Sequence, residues 1–86
     1  MRYFFHLHND IQTQDEEGLE LPDLAAARLH AEQAAREMAA ESVRQGHLNL
    51  SHCIEVVSAD ETERLIVRFG DAIRIVGQSS STRRIS

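Results

Sequence analysis

His6 and His8 stand two residues apart in "RYFFHLH", and on an extended chain such a pair projects both imidazoles from one face, as metal-ligand pairs on strands do. His47, His52 and Cys53 offer further donors if their segment lies alongside. No short Cys/His cluster with zinc spacing accompanies them, so the expectation is surface or hydrogen-bonded imidazoles, with His6 and His8 the candidates should a metal bind. His52 and Cys53 are a conceivable base and nucleophile. Neighbours on a strand point to opposite faces, however, and Cys53 is expected to pack as a small apolar side chain. Asp10, Asp15, Glu16, Glu17 and Glu20 suggest a calcium loop, but the spacing fails: counted from Asp10, the obligatory glycine position is occupied by Asp15. A solvated acidic turn is the expectation there. Nothing indicates buried, convergent carboxylates for acid/base work, so neither catalytic residues nor a cofactor are expected.

Arg64, Arg68 and Arg74 form a possible basic interaction stripe, extended by Arg83 and Arg84. A nucleic-acid surface would ordinarily be denser and interleaved with exposed aromatics, whereas the single Tyr and three Phe are assigned to core strands. The stripe is therefore expected to pair with the acidic half of the same molecule or of a neighbouring subunit.

The elements that must position these residues follow from periodicity. Residues 2–8 alternate, with Tyr3, Phe5 and Leu7 on one face and Phe4, His6 and His8 on the other, and predict a strand. "ND" turns the chain and "IQTQ" returns as a short, polar edge strand. "DEEG" makes a second turn with Gly18 at a positive φ, and "LEL" runs extended into Pro22. Asp23 is the best N-cap, unless Pro22 takes the first helical position. From Leu24, a stripe of Ala27, Ala31, Ala34 with Ala35, Met38, and Ser42 with Val43 recurs every three or four residues, and Gly46 is placed to end the helix. "CIEVVS" and "ERLIVRF" are two further strands joined by "ADET", the second with Leu65, Val67 and Phe69 opposite Arg64, Ile66 and Arg68. "GDAIRIV" fits a strand or a single helical turn capped by Asp71. Residues 77–86 lack periodicity and are expected to form a disordered tail.

An Ala-lined helix can approach its partner closely. It suits an antiparallel sheet whose Tyr, Phe, Ile and Leu side chains fill the space, or the same stripe of a second subunit in a two-fold dimer.

Eighty-six residues make one modest domain that a partner subunit would help to stabilise. The net charge of −5 argues against bulk attraction to nucleic acid or an anionic membrane. Residues 1–43 hold three Arg and nine acids, or −6, while residues 44–86 hold six Arg and five acids, or +1, so the molecule is expected to be polarised. One cysteine allows no internal disulfide, no secretory signal is visible, and no stretch approaches the ~20 apolar residues of a membrane span, so a cytoplasmic protein is expected.

Taken together, Tyr3-Phe4-Phe5-His6-Leu7, Asp15-Glu16-Glu17-Gly18, Leu21-Pro22-Asp23-Leu24, the Ala-rich helix with Arg36-Glu37, Leu48 and Leu50, Ile54-Glu55-Val56, Leu65-Ile66-Val67, Phe69 and Asp71-Ala72 resemble a family of small bacterial proteins catalogued only as a domain of unknown function. The resemblance covers residues 2 to about 76 and implies no activity. Leu21-Pro22-Asp23-Leu24 and the element order are also similar to HicB-like antitoxins, although the separate DNA-binding segment usual there has no counterpart.

The expected architecture is α+β: one domain over residues 1–76, with one long helix on an antiparallel sheet of about four strands in the order ββαββ. The expected role is a non-catalytic protein-interaction or regulatory module that self-associates. A HicB-like antitoxin with a small protein partner, or an RNA-associated regulator, is the alternative, and metal binding through His6 and His8 comes third.

Overall fold

The computed structural model describes residues 1–9 and 12–77. The elements are β1 (Arg2–His8), β2 (Gln12–Thr13), β3 (Leu19–Glu20), α1 (Leu24–Arg44), β4 (Cys53–Ser58), β5 (Arg64–Arg68) and α2 (Phe69–Ala72). Together they make an α+β domain: one antiparallel sheet of five strands with one long helix across it. The expected turn at Asn9-Asp10 and the first residue of "IQTQ" fall partly, and the tail beyond Gly77 wholly, outside the described residues.

β1 lies inside the sheet. One edge of it pairs with β4, from Tyr3↔Ser58 to His8↔Cys53. Its other edge is shared, with β2 opposite Leu7 and His8 and β3 opposite Arg2 and Tyr3. The "LEL" segment, expected only to be extended, thus contributes a fifth strand. β5 pairs with β4 on the far side and closes the order β2-β1-β4-β5.

Strand alternation sorts the side chains into two sets. The rows Phe5–Val56–Leu65 and Leu7–Ile54–Val67 face α1, and the rows Phe4–Val57–Arg64, His6–Glu55–Ile66 and His8–Cys53–Arg68 face away. Asp23 caps α1 by accepting from Ala26 N at 2.9 Å, and Gly46, at φ +98°, follows the helix end. Ala27, Ala31, Ala35 and Ala39 are almost wholly excluded from solvent against Tyr3, Ile54, Val56, Val67 and Phe69. The small stripe lets the helix backbone approach the sheet while the sheet supplies the bulk. It is consumed within the subunit, and the alternative of an alanine-to-alanine dimer is thereby overturned.

The ambiguity over residues 70–76 resolves in favour of the helical turn, and no strand follows it among the described residues. Phe69–Ala72 make one helical turn with Asp71 inside it rather than at its cap, and from Ile73 the chain is extended. The turn is tied down by Phe69 N donating to His52 O at 2.8 Å and Gly70 N donating to Leu50 O at 3.0 Å.

Candidate functional site

No helix or strand among the described residues covers the face of the sheet opposite α1, although the acidic turn reaches over His6 and Phe4 and Val57 is buried; of the side chains singled out for possible chemistry, His6, His8, Cys53, Arg64 and Arg68 stand on it. β1 presents Phe4, His6 and His8, β4 presents Cys53, Glu55 and Val57, and β5 presents Arg64, Ile66 and Arg68. Ile66 is 43% exposed near the middle of this face.

Glu55 organises it. Its Oε1 lies 3.1 Å from His8 Nε2 on one neighbouring strand, and its Oε2 accepts from Arg64 Nη1 at 2.6 Å on the other. The hydrogen bond from His8, opposed by burial and assisted by the Arg64 charge, holds the Glu55 carboxyl below the ordinary glutamate range. His6 is engaged differently. Its ring lies parallel to that of Phe4 with centroids 6.4 Å apart, and its Nδ1 accepts from Asp15 N at 3.1 Å.

Asp15 belongs to the acidic turn, whose purpose is structural. Because β2 and β3 pair with opposite ends of β1, the amide of Phe5 between them has no ladder partner; Asp15 Oδ2 accepts from it at 3.1 Å. Asp15 Oδ1 accepts from Glu17 N and Gly18 N. Burial alone would push this carboxyl up, but the N–H donors of Gly18, Phe5 and Glu17 outweigh it and the pKa is lowered. A shallow depression of about 220 Å³ lies alongside, between Phe4, His6, Asp15, Val57 and Glu61.

Among the described residues, no three His, Cys, Asp or Glu side chains converge as a metal would require. His47 sits just past the end of α1, where its amide donates to Ser42 O, and the ring of His52 meets Phe69 edge-on at 5.7 Å. Neither joins His6 and His8. Cys53, half-buried in the row with His8 and Arg68, faces away from that His52–Phe69 contact.

The proposed arginine stripe divides. Arg64 and Arg68 share the open face, but Arg74 lies beyond α2, in the extended segment, and lines a groove beside α1 with Arg36. The helical turn at Phe69–Ala72 breaks the alternation that would have kept Arg74 in line. Arg64 and Arg68 also pair within the C-terminal half, with Glu55 and, at 4.0 Å, with Asp71, rather than with acids of residues 1–43. Polarity arises from strand order instead: the acidic turn and Glu20 lie at the β2/β3 edge, and Arg64 and Arg68 at the β5 edge.

The residues missed in the sequence were Glu55 and Arg36. Glu55 stands out as the charged residue within "CIEVVS", flanked by Ile54 and Val56, and superposing the alternations of β1 and β4 would have set it beside His6 and His8. Arg36 gave no sign of this role, because the acceptor of its Nε, Ala72 O, lies 36 residues along the chain and only that wall turns the neighbouring Ala40, Val43 and Leu48 into a groove.

The family described as "Domain of unknown function (DUF6894)" matches residues 2–70, and the chain belongs to it. No curated protein and no solved structure matches. No described helix is long and apolar enough to cross a membrane.

Proposed function

We propose that this member of the family is a non-catalytic interaction module that associates with a second copy of itself through the open face of its sheet. The observation that carries this is a face that no helix or strand among the described residues covers, with Ile66 43% exposed near its centre, Arg64 and Arg68 at one edge and an acidic turn at the other. A sheet this small gains stability by burying its second face. The charge polarity selects a geometry: a two-fold axis parallel to the strands sets the acidic edge of each copy against the arginines of the other. An axis across the strands would set like charges together.

Sedimentation equilibrium of the full chain over a wide concentration range tests the reading. The expected result is a dimer that weakens with salt and dissociates in the Ile66→Asp variant, which keeps its fold because the residue lies outside the core. A monomer throughout the range would overturn it. A stoichiometric small basic protein occupying the same face in place of a second copy would replace it with the antitoxin-like reading.

A further inference from the structure

A second surface lies away from the open face. Between the C-terminal half of α1, the connector after it and the segment following α2 runs a groove of about 510 Å³, a volume in the range of small-ligand sites. Its apolar walls include Ala40, Val43, Leu48 and Ile73, and its two charged side chains are Arg36 and Arg74. Arg36 Nε donates to Ala72 O at 2.9 Å, which fixes the guanidinium at the groove and leaves its two terminal nitrogens for another acceptor. Neither Arg36 nor Arg74 makes an ion pair among the described residues, in a chain whose net charge is −5.

We infer that this groove binds a small amphipathic carboxylate, an aliphatic body lying against Ala40, Val43, Leu48 and Ile73 with its anionic end on Arg36 and Arg74. An apolar wall flanked by two uncompensated guanidinium groups is complementary to that chemistry, and arginine accepts a carboxylate in bidentate fashion. Charge disfavours the other occupants. Residues 78–86 carry no acidic side chain and would bring Arg83 and Arg84, two further cations, toward Arg36 and Arg74. A two-fold contact between two grooves would oppose the same arginines to themselves.

The test is an amide NMR titration of the full chain with decanoate, and with decanol and decyltrimethylammonium as neutral and cationic probes of equal chain length. Decanoate is expected to give saturable shifts at Ala40, Val43, Leu48 and Ile73, with binding about tenfold tighter than for either other probe. The Arg36→Gln/Arg74→Gln double variant should lose about tenfold in affinity for decanoate while its amide spectrum stays folded, the lost bond from Arg36 to Ala72 O lowering the melting temperature by only about 4–8 °C. Ala40→Glu, on an exposed helical position, should abolish binding while the amide spectrum stays folded. Any of four results would overturn the proposal: no saturable shift, equal affinity for the cationic probe, groove shifts that follow protein concentration without ligand, or Overhauser contacts from residues 78–86 into the groove. The first two exclude the anion, the third assigns the groove to a second copy, and the fourth to the chain's own end.

Discussion

Arg64 Nη1 reaches Glu55 Oε2 at 2.6 Å although the two residues are not opposite one another: Glu55 is in register with Ile66, and Arg64 with Val57. The contact is a diagonal one on the open face, within reach of long side chains. His8, whose register partner is Cys53, makes the matching diagonal from the other side. A single carboxylate therefore ties three strands together where no helix covers them.

Replacing that carboxylate has a pH signature. Glu55 is 17% exposed and its pKa is depressed below the ordinary 4.5, so its stabilisation is present above that value and lost as pH falls through the lower, folded-state value. Arg64, 59% exposed, adds little, and Glu55→Gln is expected to cost roughly 1 kcal/mol at neutral pH. Chemical denaturation of both proteins should show the difference shrinking below pH 4.5. A difference that persists undiminished into strong acid would assign the effect to packing.

Tyr3 sets the alkaline limit. It is buried at 2% exposure, its hydroxyl donates to Glu63 Oε1 at 2.8 Å, and burial followed by that hydrogen bond pushes its pKa up to about 12. The raised value means stability is full below the ordinary 10.0 and declines as pH rises toward 12. Because Tyr3 is the only tyrosine, phenolate absorbance reports it without ambiguity. The native protein is expected to titrate well above the denatured one, and the decline between those pH values should disappear in Tyr3→Phe.

Much of this was legible from alternation and capping. The exposed-buried order of "RYFFHLH" and "ERLIVR" placed His6, His8, Arg64 and Arg68 on the outward faces of their strands, and Asp23 and Gly46 bounded the helix as their chemistry requires. What was hidden depended on which strands become neighbours. Leu19-Glu20 became a strand because β1 had half an edge free, and Glu55 became central because β4 paired with β1. Arg74 left the stripe because the chain makes a helical turn at Phe69–Ala72 instead of continuing the strand, with Gly70 N donating to Leu50 O.

The alanine stripe predicts an asymmetric response to added volume. Ala31 and Ala35 are 0% exposed against the sheet, so Ala31→Leu or Ala35→Leu must push the helix outward, at an expected cost of about 1–3 kcal/mol. Ala25→Leu, on the exposed side of the same helix, should change stability by less than about 0.5 kcal/mol. Thermal unfolding of the variants separates the cases. Equal effects at buried and exposed positions would refute close helix–sheet packing.

Gly18 and Gly46 both have positive φ, at +72° and +98°, yet their surroundings differ. A Cβ on Gly46 would meet nothing within 4 Å, so Gly46→Ala pays only the left-handed strain, about 1 kcal/mol. A Cβ on Gly18 would lie 2.8 Å from Arg2 Cγ, 2.9 Å from Tyr3 O and 3.0 Å from Phe4 Cε1. The arginine can swing aside, but the Tyr3 carbonyl belongs to the strand, so the turn must lift away. That movement would pull Gly18 N from Asp15 and with it the acceptor for Phe5 N, releasing the edge of β1 between β2 and β3. Gly18→Ala is therefore expected to cost about 2–3 kcal/mol, with faster amide exchange at Phe5 as the accompanying sign. Equal losses for the two glycine variants, with Phe5 exchange unchanged, would mean that the turn is not what holds that edge closed.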